Sequence, residues 1–476
     1  MPAKKIVCLG GGSLYFPGAM IDVVLQPELS GSELVLYDLD PQKAELMARL
    51  GRKFARQAGT HFKVRSSGRL SDALDGADFA LSSIGGSGAE ITRTVHTSTF
   101  HEADMRIPAR YGIHQLIGDT GGPGGMMMGL RSVTAHLRIL REMERRCPRV
   151  IMFNHSNPMA VLMRAMHKYT SINAIGVCHG VQGGTRRTAE MMGLEPEHVQ
   201  AMWIGTNHYY WFTRFLYKGQ DYLPKLKQYI ATHEAPKGRG LSYRLSNIYG
   251  HVLVYAMDDH AIEFYPFLSH VPGGQKSLPY NLIESALKHD FDESTQPSRH
   301  VTSPEVRRAF FKEYQEILNK RKMPPRSARR SGAHAFSEEI GATLAAIATG
   351  KRRIFIANIA NNGAIPNLPA TAEVEVESVT DWCGVRALQM GPCPPVLKGM
   401  LEKRFAWQEL VADAAVTGDR NLALQAMLLD EMAIWPEQAE AMLDELLEAS
   451  RPLLPQFFRK GRSKNIVPPH GLPSSV

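Results

Sequence analysis

Spaced cysteine pairs are missing from this chain of 476 residues. Its five cysteines (Cys8, Cys147, Cys178, Cys383 and Cys393) fall at irregular intervals with no C-x-x-C among them. That pattern excludes a disulfide framework and a structural zinc knuckle. No apolar run approaches the ~20 residues that cross a bilayer. The lysines at 4 and 5 lead directly into a short strand, so no secretory leader is expected and a reducing, cytoplasmic setting is. Internal repeats and nucleic-acid-binding motifs are also missing, which bears on the net charge of +8. The excess sits in scattered helical arginines and in two clusters, 320–330 and 459–464, as expected of a solvated surface and a basic tail. A small acidic substrate would be a further use for it. What remains, 44% hydrophobic and 21% charged residues, is ordinary for a soluble globular chain long enough for two or more domains.

The first forty residues have a βαβ layout. KKIVCL reads as a short strand ending in Gly10-Gly11-Gly12-Ser13, FPGAMIDVVLQ as a helix, and ELVLYD as a second strand ending at Asp38. Glycines let the backbone turn tightly and approach a pyrophosphate at a helix N-terminus, and an acidic residue after the second strand suits ribose hydroxyls, favouring NAD. Tyr15 replaces the third glycine of G-x-G-x-x-G, so an ordinary glycine-rich βα turn is the alternative. Further strands are expected at 62–68, 77–86, 148–158 and 173–180, completing a doubly wound sheet. The stretch His101–Gly125, with five glycines from Gly118 to Gly125, reads as a long ordered loop. Beyond Met202 the order is mixed: WIGTNHYYWF as a strand, 247–268 and 336–350 as helical, 352–378 as a return to strand, then helices at 396–414 and 419–450. These expectations place a Rossmann-type domain at 1–200, an α+β domain at 201–455 and a flexible basic tail at 456–476.

Three apolar runs end in side chains suited to chemistry. Asn154 and Asn157 follow VIMF, Cys178 and His179 follow AIGV, and Asn207 and His208 follow MWIG. Ligands in open α/β sheets bind at the carboxyl ends of strands. A thiolate and an imidazole, Cys178 and His208, form a borderline-soft pair for Mn, Fe, Co, Ni or Zn, with positions left for a substrate. On spacing alone, a buried inert cysteine and a core histidine explain them equally.

The chain as a whole resembles glycoside hydrolase family 4. The pieces that carry the resemblance run in order from residue 5 to about 380: IVCLGGGS, LYDLD, GDTGGPGG, NHSNPMA, Cys178-His179-Gly180, GTNHYYW, DDHAIEFYP and NNGAIPNLPATAEVEV. The resemblance implies a Rossmann-type doubly wound sheet followed by a lactate/malate-dehydrogenase-like α+β domain. It implies NAD and a divalent metal, with Mn²⁺ expected, a small glycoside as substrate, and a homodimer or homotetramer. By position, Gly10, Gly12, Ser13 and Asp38 bind NAD, and Cys178 and His208 hold the metal. Asn157, with Asn154 beside it, contacts sugar hydroxyls. The family's Asp-x-His-x-x-Glu pattern falls on Asp258, His260 and Glu263, making Asp258 a candidate base and His260 a substrate contact. His179 stands where a proton donor stands in one branch, there as Asp, and Asp119 in the glycine loop is a further catalytic candidate.

The family departs from the two-carboxylate rule of glycoside hydrolysis. NAD oxidises C3 of the sugar, the metal acidifies the C2 hydrogen, a base removes it and the C1–O bond breaks by elimination. Water then adds and the hydride returns. Within the family, Cys-His-Gly marks α-glucuronidases, and Arg106, Arg110, Arg131 or Arg330 would meet the uronate. The alternatives are an α-galactosidase, α-glucosidase or α-galacturonidase of the same family, a plain hydroxyacid or sugar dehydrogenase, or an NAD-sensing module without turnover.

Overall fold

Strand β1 (Lys5–Leu9) sets the architecture through its alternation. Val7 and Leu9 pack into one apolar cluster and Ile6 and Cys8 into another, on opposite faces of the sheet. A strand buried on both faces has to be covered by helices on both, which is the doubly wound arrangement. The computed structural model describes residues 3–85, 100–115, 117–236, 238–254, 258–265, 304–319, 339–432 and 435–459.

In chain order β1 is followed by α1 (Phe16–Val24), β2 (Glu33–Tyr37), α2 (Pro41–Ala58), β3 (Lys63–Ser67), α3 (Leu70–Leu74) and β4 (Phe79–Ser82). Then come α4 (Phe100–Arg110), α5 (Gly122–Arg146), β5 (Ile151–Asn154), α6 (Met159–Tyr169), β6 (Asn173–Gly176) and α7 (Gly180–Met191). The parallel strands lie in the order 3-2-1-4-5-6, that of dinucleotide-binding sheets. Helices α5 and α6 and the C-terminal helices Pro395–Thr417, Arg420–Leu429 and Pro436–Ala449 cover one face; α1, α2 and the helix Ile340–Thr349 cover the other.

A second sheet follows: β7 (Val199–Thr206) and β8 (Tyr209–Tyr217) form an antiparallel hairpin, with β9 (Gln220–Asp221) and β10 (Val252–Leu253) paired to β8. Helices α8 (Leu223–Thr232), α9 (Gly240–Tyr249) and α10 (Asp258–Ala261) pack around it. The chain then returns to the first sheet. Strands β11 (Ile354–Ala360), β12 (Glu373–Asp381) and β13 (Gly384–Ala387) extend it antiparallel beyond β6, giving nine strands among the described residues. No helix of the described residues is long and apolar enough to cross a membrane.

Three local expectations are corrected. Residues 101–125 are not one loop: α4 occupies 100–110 with Pro108 inside it, and α5 begins at Gly122. Gly122, Gly124 and Gly125 sit in the first turn of α5; a Cβ on Gly125 would lie 2.7 Å from the Thr120 carbonyl carbon. WIGTNHYYWF is the tip of a hairpin, turning at Asn207-His208. The stretch 247–268 is helical only in part, because α9 stops at left-handed Gly250 (φ +69°) before β10. The tail from 460 onward and the cluster 320–330, with Arg330, lie outside the described residues.

Arg131, a candidate for a substrate carboxylate, belongs to the scaffold. It is 3% exposed and both its terminal nitrogens engage Asp104, with Ser450 Oγ 2.9 Å from Nη1. Arg110 pairs with Glu445 at the surface. Removing one partner of a buried pair strands the other charge. Asp104→Ala is therefore expected to cost about 3–5 kcal/mol in urea unfolding; a cost under 1 kcal/mol would contradict the scaffold role.

Candidate active site

The turn after β1 is squeezed between neighbouring strand ends. Gly10 has φ +73°, and a Cβ on it would lie 2.3 Å from the Ser83 carbonyl oxygen. A Cβ on Gly12 would come within 2.6 Å of Lys43 Cβ. Gly12 N–H donates to Asp38 Oδ2 (2.9 Å), Asp40 N–H donates to Oδ1 (2.9 Å), and the hydroxyls of Ser13 and Ser83 are 3.0 Å apart. Gly10, Gly12, Ser13 and Asp38 are thus brought together, as a backbone cradle with an acidic residue at its rim. Tyr15, in place of the third glycine, packs its ring 4.3 Å from that of His155.

Further along the same parallel sheet, β6 ends at Gly176, and Cys178 and His179 lead into α7. Gly180 N–H donates to Cys178 Sγ at 3.3 Å, and a thiolate is favoured at a helix N-terminus. His208 comes from the β7–β8 tip with φ 64°, a left-handed conformation at which a hairpin normally has glycine or asparagine. Such a residue costs about 1–3 kcal/mol and persists only where its surroundings hold it. Here Thr206 Oγ1 donates to the Glu373 carbonyl (2.7 Å), Trp203 Nε1 to the Glu375 carbonyl (2.7 Å) and Asn207 Nδ2 to the Glu375 carboxylate (3.3 Å), tying the hairpin to β12. The result is His208 Nε2 at 3.5 Å from Cys178 Sγ.

Two further donors converge on His208. One ligand atom from each of Asp119, His208 and His260 lies within 4.8 Å of the others, all three residues being buried. The rings of His208 and His260 meet edge-on at 4.8 Å, and Asn157 Nδ2 donates to Asp119 Oδ2 at 2.9 Å. His208 thus meets a cysteine sulfur at Nε2 and is grouped with a carboxylate and a second imidazole, donors that fit a divalent ion of borderline softness. Asp119 and His260, read from sequence as catalytic and substrate groups, are therefore grouped with His208 as possible metal donors, a cluster that does not include Cys178.

Two candidates are placed differently. Asn154 is fully buried, with its amide spent on the Ser156 backbone and Met159 Sδ. Asp258 accepts the N–H groups of Leu241 (2.7 Å) and Ser242 (2.9 Å) and the Ser242 hydroxyl, holding the start of α9. Burial raises its carboxyl to about 6 against those bonds. His179 is half-buried at the start of α7. Sequence reasoning gave no role to three residues. Glu263, within the Asp-x-His-x-x-Glu pattern, accepts three amide hydrogens of the glycine loop. Thr120 joins Asp119 to His208. Arg239 is 8% exposed near Asp258, and its Nη2 has no hydrogen-bond partner among the described residues. Nothing but its place between two glycines marked it.

A dinucleotide-type turn and a cysteine–imidazole pair, with Cys178 following a strand of the same parallel sheet, mark an α/β protein of the nucleotide-fold class. Residues 5–194 match Family 4 glycosyl hydrolase and residues 203–433 match the Family 4 glycosyl hydrolase C-terminal domain, so the chain belongs to that family. It is 28% identical to an alpha-galactosidase of Bacillus subtilis over 95% of this chain and 100% of that protein. To an alpha-galacturonidase of the same organism it is 30% identical over 93% and 97%. Among solved structures, a 6-phospho-alpha-glucosidase from gut microorganisms, in complex with NAD and Mn²⁺, shares the fold at TM-score 0.75 and 23% identity, over 95% of this chain and 99% of that one.

The left-handed tip is testable. His208→Gly is expected to be more stable than His208→Ala by about 1–2 kcal/mol, though both lose the imidazole; equal stabilities would place the tip in another conformation. Glu375, beneath the tip, is fully buried, and burial pushes its carboxyl to about 8 from 4.5. An acid whose folded pKa is raised binds more protons folded than unfolded, so its contribution falls as pH rises from 4.5 to 8. Denaturant melts across that window should show this decline shrinking in Glu375→Gln.

Proposed function

We propose that this chain hydrolyses α-glycosides of uronic acids, α-glucuronides foremost, with NAD and a divalent metal, Mn²⁺ being the expected ion. The observation that carries the reading is the approach of Cys178 Sγ to His208 Nε2, 3.5 Å, with Asp119 and His260 beside His208, in a Family 4 glycosyl hydrolase with a glycine turn after its first strand. When bound, NAD at Gly10, Gly12, Ser13 and Asp38 would exchange a hydride with C3 of the sugar, and the metal at Cys178 and His208 would acidify the C2 hydrogen.

The side chains then take roles suited to their places. Asn157, oriented by Asp119, binds sugar hydroxyls. Asp119 is favoured over Asp258 as the group that takes the C2 proton, because Asp258 is engaged at the start of α9 while Asp119 adjoins both imidazoles. His179 protonates the departing oxygen from the start of α7. His260 closes the polar wall against the sugar. The uronate carboxylate is assigned to Arg239, a buried guanidinium whose desolvation a bound anion would offset. The Cys178-His179-Gly180 triplet favours glucuronides, and the alpha-galacturonidase relative makes galacturonides the second reading. A cytoplasmic homodimer or homotetramer completes the proposal, its free thiols suited to a reducing compartment.

Aryl α-glucuronide, α-galacturonide and α-glucoside, offered with NAD and Mn²⁺ in D₂O, test this. Expected is cleavage of the glucuronide that needs both additions and leaves deuterium at C2. NADH accumulating without aglycone release would instead mean a dehydrogenase. Arg239→Met should lose about 30-fold or more in kcat/KM on uronides, the worth of a buried charge pair, and little on the glucoside; equal losses on all three would remove Arg239 from specificity.

A further inference from the structure

We infer that Thr120 is a positioning residue whose hydroxyl fixes which nitrogen of His208 carries the proton, so that Nε2 is presented as a lone pair to a metal. The inference rests on the metal reading of the same centre. Thr120 is buried, and its Oγ1 lies 2.6 Å from Asp119 Oδ1 and 3.1 Å from His208 Nδ1. A hydroxyl has one hydrogen to give. A carboxylate only accepts, so that hydrogen goes to Asp119, and towards His208 the oxygen is an acceptor. His208 Nδ1 must then be the N–H, which leaves Nε2 as an acceptor towards the Cys178 thiol, whose Sγ is 3.5 Å away.

The donors converge on Asp119. Asn157 Nδ2 donates to Asp119 Oδ2 and Thr120 to Oδ1, while His208 donates to Thr120. Metal-bound histidines depend on such an outer partner for tautomer and ring orientation, and its loss typically costs 10–100-fold in metal affinity. The usual outer partner is a carboxylate or carbonyl acting directly. Here a hydroxyl stands between, which leaves the carboxylate of Asp119 beside the centre.

The backbone and side-chain roles of Thr120 are separable. Its N–H donates to Glu263 Oε2 at 2.9 Å and helps seat the loop, a bond that any residue but proline retains. Valine has the shape of threonine without the hydroxyl, so Thr120→Val removes the relay while keeping the loop's anchor. Thr120→Ser keeps the relay.

The experiment is Mn²⁺ titration of the apo full-length chain by calorimetry and electron paramagnetic resonance, without NAD or substrate. It is paired with nitrogen-15 spectra of histidine-labelled protein, in which His208 is assigned by its loss in His208→Gln. Expected are wild-type binding at one site and an Nδ1–H tautomer for His208. Thr120→Val should show about 10–100-fold weaker binding and a shift toward Nε2–H, with both readouts restored in Thr120→Ser. Wild-type affinity in Thr120→Val, or an Nε2–H imidazole in the wild type, would overturn the inference while leaving the metal centre standing. No Mn²⁺ binding by the wild type would overturn both.

Discussion

The carboxylate of Glu263 accepts the amide hydrogens of Gly118 (2.6 Å), Thr120 (2.9 Å) and Gly121 (2.8 Å), and it is wholly buried. A loop of glycines has few side chains with which to fix itself, so its position depends on what its backbone meets. Burial and the nearby charge of Asp119 raise the Glu263 pKa, and the three N–H donors oppose that rise. The loop accordingly comes as close as its backbone allows: a Cβ on Gly121 would lie 2.7 Å from the Glu263 carbonyl oxygen. Behind it, Arg404 pairs with buried Asp430 and lies over the Phe264 ring. The glycines therefore serve close approach, and what the loop delivers is the pair Asp119 and Thr120.

The second half of the site reaches the same point from the other sheet, through the same frame. Strand β12 extends the nucleotide sheet beyond β11 and also receives the Thr206, Trp203 and Asn207 bonds that seat the β7–β8 hairpin. His208 is thus referred to the sheet that carries Cys178 and the glycine turn, and a 3.5 Å sulfur–nitrogen distance can be kept across elements distant in sequence. Left-handed backbone at His208 is tolerable for the same reason, since several bonds on β7 determine where the tip goes.

Much of the first sheet was legible because its signal is local. The alternation of Ile6, Val7, Cys8 and Leu9, the glycines after them and Asp38 at the end of β2 all express period and turn chemistry within forty residues. The hairpin at Asn207-His208 was not legible, because its turn lacks the glycine that marks such a tip and the aromatic run continues across it. Residues 101–125 misled for a related reason: glycine weakens a helix in isolation, but here tertiary contacts with Glu263 and Gln115 seat the start of α5. Cys178 and His208 were found as types of residue at strand ends. Thr120, Glu263 and Arg239 matter through what lies beside them in space, which spacing does not encode.

Three acids, Asp119, Asp258 and Glu263, are buried, and their environments separate them. Asp258 holds the first amides of α9, and deprotonation there is opposed by burial, with its carboxyl near 6. Glu263 holds three amides of the loop. Both therefore fix backbone. Asp119 is held by side chains, Asn157 on one oxygen and Thr120 on the other, and is the acid whose oxygen converges with the imidazoles of His208 and His260. A carboxylate supported by side-chain donors can exchange them for a hydroxyl, a proton or an ion without unfastening a loop or a helix. That difference in what each acid would have to release is the physical ground on which the proposed chemistry prefers Asp119.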